Sequence, residues 1–176
     1  MREPAEILKA RRSRVLLARG YQHLLLRVAA LAVLVWLLLS QVFLVTRTRG
    51  NEMAPALKDG DLTIAFRLQG DYSKNDVVVY RADGAQRVGR VAARAGDVVM
   101  LDDTGTMRVN GTTQAGEILY PTYATGELTY PYTVPEDSLF ILGDHRTQAE
   151  DSRSFGAVTQ DDVEGKVISI LRRRGL

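Results

Sequence analysis

Between Val28 and Val45 the sequence reads VAALAVLVWLLLSQVFLV, eighteen residues without a single charge. At 1.5 Å per residue such a run makes about 27 Å of helix, close to the hydrocarbon thickness of a bilayer. Leu24, Leu25 and Leu26 extend it, and Arg27 can lift its charge to the headgroups along its alkyl stem. A helix apolar on every side has no place as a core element in a chain of 176 residues. A cleavable signal peptide is the stronger rival, but its apolar stretch is shorter and ends in a small-x-small exit. Leu44-Val45-Thr46-Arg47 offers none. The expected organisation is a basic cytoplasmic segment (residues 1–23), an uncleaved transmembrane anchor (24–45) and one extracytoplasmic domain (46–176).

Charge gives the anchor a direction. Residues 1–45 hold seven Lys or Arg (Arg2, Lys9, Arg11, Arg12, Arg14, Arg19, Arg27) against two acids, or +5. The whole chain carries +2, so the remainder carries −3. Only Arg47 and Arg49 follow the apolar run closely, and the positive-inside tendency then places the N-terminus in the cytoplasm. The adjacent span makes topology a plainer account of the basic run than nucleic acid, and no nucleic-acid partner is expected. Residues 4–23 read as an interfacial helix, with Leu8, Val15, Leu16 and Leu17 as its apolar contacts. The absence of cysteine excludes disulfides, thiol nucleophiles and cysteine-zinc sites. Two distant histidines, His23 and His145, argue against a histidine metal centre, and no cofactor is expected.

Past the apolar run the pattern changes to short strand-like segments. Val77–Tyr80 and Gln86–Val91 flank Asp83-Gly84, a strong hairpin signal. Asp97–Leu101 and Met107–Val109 are followed by the Asn110-Gly111 turn, and Ser138–Leu142 and Lys166–Leu171 are two further strands. Turns at this spacing favour an antiparallel, mainly β domain.

Four segments carry chemistry when taken together. They are Gly50-Asn51-Glu52-Met53-Ala54-Pro55-Ala56-Leu57, then Asn75-Asp76-Val77-Val78-Val79-Tyr80, then Val88-Gly89-Arg90 running on to Gly96-Asp97, and finally Gly143-Asp144-His145-Arg146 with Asp151-Ser152-Arg153-Ser154-Phe155-Gly156. In this order, after an N-terminal apolar run, they resemble the boxes of the bacterial signal peptidase I family (peptidase family S26). The last segment is the most specific of the four. The resemblance implies the LexA/signal peptidase β fold and a membrane-bound serine peptidase whose general base is a lysine. Such a pair demands a lysine whose pKa burial has lowered enough to take the serine proton.

The matching positions depart from that pattern at each catalytic point. The nucleophile position, just before Met53, is Glu52; the general-base position, just before Arg90, is Gly89; the serine that partners the lysine is replaced by Ala149. Lys58, Ser73 and Lys74 lie outside the matching positions. The framework is retained: the resemblance implies a structural ion pair between Arg90 and Asp144, and a similar structural role for Asp151 and Arg153. Asp97 and Arg146 stand in the third and fourth boxes, and Met53 and Pro55 are expected to shape the cleft floor.

Three functions are in play. The first is a non-cleaving pseudoenzyme, similar to the signal-peptidase-like proteins of Gram-positive pilus clusters. It would bind a secreted or pilin-like subunit at exposed strand edges, beside a sortase. The second is an active signal peptidase in which Glu52 activates water. The third is a membrane protein whose cleft has decayed and has no role.

Overall fold

The computed structural model describes the backbone of residues 4–114 and 119–172, and side chains from residue 20 onward. It divides into two units, Met1–Gln41 and Val42–Leu176. The first is one helix, α1 (Pro4–Val42), opening on a proline whose missing N–H costs nothing at a helix start. Its stretch Gly20–Val42 is 23 residues of apolar helix, none of it buried. That length gives about 35 Å, enough to cross a bilayer with some tilt. The contacts expected of Leu8, Val15, Leu16 and Leu17 lie outside the described side chains.

The helix stops three residues before the boundary expected from composition. Phe43, Leu44 and Val45 belong instead to a strand, β1 (Phe43–Arg47), where they pair with Phe66, Ala65 and Ile64 of β2 (Leu62–Phe66). An apolar run alone does not distinguish helix from strand; here the waiting backbone partners decide.

The second unit is mainly antiparallel β. Its further strands are β3 (Val77–Ala82), β4 (Ala85–Arg94), β5 (Val98–Leu101), β6 (Met107–Val109), β7 (Thr112–Thr113), β8 (Tyr132–Thr133), β9 (Ser138–Leu142), β10 (Val158–Thr159) and β11 (Val163–Leu171). A seven-stranded sheet runs β1-β2-β11-β3-β4-β9-β10, and a four-stranded sheet runs β7-β6-β5-β8. Asp83 and Gly84 both take positive φ (50° and 73°), as do Asn110 and Gly111 (53° and 79°). Two positive φ angles make a tight turn whose twist matches that of the flanking strands, and β3–β4 and β6–β7 are therefore hairpins.

β9 explains where the core sits. All five of its residues are buried, and their alternation feeds two clusters. Phe140 and Leu142 pack with Ala93, Val99, Met107, Val109 and Val134. Leu139 and Ile141 pack with Tyr72, Val78, Tyr80, Val91 and Val158. Covering a strand on both faces requires an unbroken apolar run, and Leu139–Leu142 supplies it; each large side chain so buried contributes about 1.5–3 kcal/mol.

Candidate active-site cleft

β1 leads into a loop that is pinned at several points. The Thr48 N–H donates to Asp61 O (2.8 Å), the Gly60 N–H to Thr48 O (2.9 Å), and the Gly50 N–H to the Asp59 carboxylate (2.9 Å). Met53 is buried, and its carbonyl accepts from the Leu57 N–H at 2.9 Å. Glu52 is fixed from the other side, since its carbonyl accepts the His145 N–H at 2.8 Å. This bond joins the loop to the segment that follows β9.

The close packing there brings two of the altered positions together. A Cβ at Gly143 would lie 2.3 Å from the Ala149 Cβ and 2.7 Å from Glu52 O, so only glycine fits between them. The third altered position, Gly89, lies on β4. A Cβ there would come within 2.5 Å of Ile141 Cγ2, 3.1 Å of Tyr80 Cε1 and 3.3 Å of Leu142 O. Any side chain at position 89 would thus have to displace Ile141. Burial, first of all, pushes the Tyr80 phenol well above its ordinary pKa, and Asp151 adds to the effect.

The charge beside Glu52 comes from Arg87, two residues before Gly89 and so on the same face of β4. Arg87 Nη1 lies 3.6 Å from Glu52 Oε1, while Nη2 makes a 2.6 Å bond to Glu150 Oε2. Its guanidinium also stands 5.8 Å from the centre of the Phe155 ring. Burial raises the Glu52 pKa above its ordinary value, and the opposing pull of Arg87 and of the Glu150 main chain does not cancel the rise. Sequence reasoning missed Arg87 and Glu150. Their only signals were the two-residue spacing from Gly89 and adjacency to Ala149.

Hydrogen bonds and ion pairs hold the remaining framework residues in place. Arg90 grips Asp144 in a two-pronged pair (Nε–Oδ1 2.8 Å, Nη2–Oδ2 2.6 Å) and donates to Asn75 O at 3.0 Å. Asp151 and Arg153 are each 1% exposed and paired at 2.8 and 2.9 Å. Asp151 also takes the Gly143 N–H (3.0 Å) and caps α2 (Ser152–Phe155). Ser152 is no spare nucleophile, since its buried hydroxyl oxygen accepts the Ile141 N–H at 2.9 Å. Asp97 holds a turn together. It accepts from Arg94 N, Lys74 Nζ and Asn110 Nδ2; burial opposes its ionisation, but these donors outweigh it and keep its pKa below 3.8. Lys74 is therefore committed to Asp97.

Arg146 points toward the second sheet, donating to Thr122 Oγ1 (2.7 Å) and Gln114 Oε1 (3.1 Å); burial lowers its pKa to about 10. Pro55, expected to shape the cleft floor, is exposed, while Met53 and Leu57 take the buried places of that turn. No group of three His, Asp or Glu among the described residues could hold a metal.

The cleft itself has a volume of about 880 Å³ and runs between β1 and the β3–β4 hairpin. Thr46–Arg49, Glu52 and Met53 line one side, and Gly84–Val88 line the other. Both sides present unpaired strand edges. β1 ends its sheet, and β4 is paired with β9 only from Arg90 onward, leaving residues 85–89 open on that side. A hydrogen bond from Thr46 Oγ1 to Gln86 Oε1 (2.7 Å) crosses the gap, as does the Arg87–Glu52 ion pair (3.6 Å).

Comparison with known proteins gives the family of the chain. The family model described as "Signal peptidase, peptidase S26" matches residues 21–171. The chain belongs to the signal peptidase family. Signal peptidase IB of Staphylococcus aureus (strain COL) is 30% identical over 139 residues, covering 68% of this chain and 72% of that protein. Signal peptidase I of Bacillus caldolyticus is 31% identical over 134 residues, covering 67% and 73%. A crystal structure of a signal peptidase I from Enterococcus faecalis V583 has a TM-score of 0.49 and 29% identity, covering 56% of this chain and 97% of that one. As a member of the signal peptidase family with an apolar N-terminal helix, the protein is membrane-anchored through that helix.

Proposed function

We propose that this signal peptidase-family protein binds exported chains in its cleft without cutting them. One observation carries the proposal: at Gly89, the position that the resemblance matches to the family's base, even a Cβ would overlap Ile141. Glu52 and Ala149 support it, because neither supplies a hydroxyl. The unpaired edges of β1 and β4 support retained binding, since an extended segment can add to both through main-chain hydrogen bonds. The substrates of the family are secreted proteins, and the clients proposed here come from that class. The resemblance to pilus-cluster proteins favours a pilin-like subunit among them; no feature of the cleft argues for a sortase.

A second reading has one observation in its favour. A carboxylate with a raised pKa, as at Glu52, can act as a base toward water. Against it, the charge paired with Glu52 is that of Arg87, which favours the ionised state. Full-length protein in detergent, incubated with a preprotein, separates the two. The expected result is saturable binding with the preprotein left intact. Specific cleavage overturns the proposal, and its loss in Glu52→Gln would establish the second reading.

A further inference from the structure

Five charged side chains line the cleft: Arg47, Arg49, Arg87, Glu52 and Asp59. Their charges are not evenly matched. Arg87 has two carboxylates, Glu52 and Glu150, and is spoken for. Asp59 accepts the Gly50 N–H and makes no ion pair among the described residues. Arg47 and Arg49 are both exposed and likewise make no ion pair among the described residues. The Arg47 guanidinium lies along the turn at Gly60, with Nη2 3.1 Å from where a Cβ would sit. These two arginines flank Thr48 on the segment that continues the free edge of β1.

We infer that the extended segment received by this cleft is acidic, carrying an Asp or Glu side chain that meets Arg47 and Arg49. This deepens the proposed function and rests on it. Chain added to the β1 edge passes directly beside these side chains, where main-chain bonds fix register and side-chain pockets fix identity. A guanidinium offers a carboxylate two parallel donors, and the preorganised fork adds specificity to attraction. Glu52 works in the same direction by repelling an acidic side chain from the inner end of the cleft, which sets the position of the acid along the bound segment.

The test uses the full chain in phosphatidylcholine nanodiscs and three fluorescent decapeptides. The peptides share a strand-forming sequence and differ only at one central residue: Asp, Ala or Lys. The Asp peptide is expected to bind about tenfold more tightly than the Ala peptide, with the Lys peptide weakest and the preference shrinking as salt rises. Arg47→Gln with Arg49→Gln should abolish the preference, whereas Arg47→Lys with Arg49→Lys should retain part of it. Equal affinities, a preference for Lys, or a preference that survives the Gln pair overturns the inference and leaves peptide binding standing. Failure of all three peptides to bind overturns the proposed function as well. Repeating the measurement with phosphatidylglycerol in the discs covers the remaining source of anions. If the Gln pair weakens only lipid association and leaves peptide preference intact, the arginines serve the membrane and the inference falls.

Discussion

Glu52 is a carboxylate in a half-buried place, and its ionisation is disfavoured chiefly by lost hydration. Between its ordinary value of 4.5 and its raised folded value, the native state holds more protons than the unfolded state, so stability falls as pH rises through that window. Below 4.5 the cost is absent; above the folded value it is constant. Glu52→Gln removes it at every pH. Thermal melting should therefore show Glu52→Gln above the wild type at mildly alkaline pH, with the gap closing as pH falls toward 4.5. A gap that ignores pH, or reverses, would contradict this account. Asp151 and Arg153 behave differently, since both are 1% exposed and bonded to each other. Asp151→Ala leaves a buried guanidinium without its partner and should cost about 3–5 kcal/mol in denaturant unfolding. Adding Arg153→Met should restore part of that loss, because it removes the stranded charge. The proposal that Glu52, Gly89 and Ala149 replace catalytic groups rests on residue type, since none of the three carries the hydroxyl or amine that the resemblance calls for. Arg87 was not legible in the sequence, because its contact with Glu52 depends on how the sheet brings β4 toward the loop after β1.

β4 is the element on which the site turns, for it carries Arg87, Gly89 and Arg90 and pairs with β3 on one side and β9 on the other. Gly89 is held to glycine by Ile141 and Tyr80 rather than by backbone conformation. Gly89→Ala should destabilise the domain by about 1–3 kcal/mol through overpacking. Ile141→Ala alone opens a cavity and is destabilising too, yet the double variant should lose less than the two singles together, because the new methyl group enters the space Ile141 vacates. Strictly additive losses in a double-mutant cycle would show that the two positions do not compete for one volume. The element pattern was readable wherever a turn signal punctuated it, as at Asp83-Gly84 and Asn110-Gly111. β1 was hidden because its Phe-Leu-Val continues the apolar run of α1 without a break. β8 and β10, two residues each, are too short to leave any periodicity.

At the scale of the whole chain, one quantity governs whether an exported segment can ever reach the cleft: the side of the membrane on which residues 43–176 stand. Every step of the proposed function requires that side to be extracytoplasmic. The charge asymmetry supports it, with seven basic residues in the first 45 and only Arg47 and Arg49 close behind the apolar run. The two arginines after the run weaken the bias without reversing it, since it is the difference across the span that orients a helix. The lack of native cysteine makes the question directly measurable, because any single introduced thiol is the only one in the protein. Met100 is exposed on β5 and suits a reporter for the β domain; Ser13 serves for the basic segment. In intact cells or spheroplasts, a membrane-impermeant maleimide should label Met100→Cys and spare Ser13→Cys until the membrane is opened. The opposite pattern would put the cleft in the cytoplasm, away from exported chains, and would remove the basis for both the proposed binding and its acidic preference. Neutralising Arg11, Arg12 and Arg14 together should then produce a mixed population labelled at both sites, as expected if those charges hold the helix in its orientation.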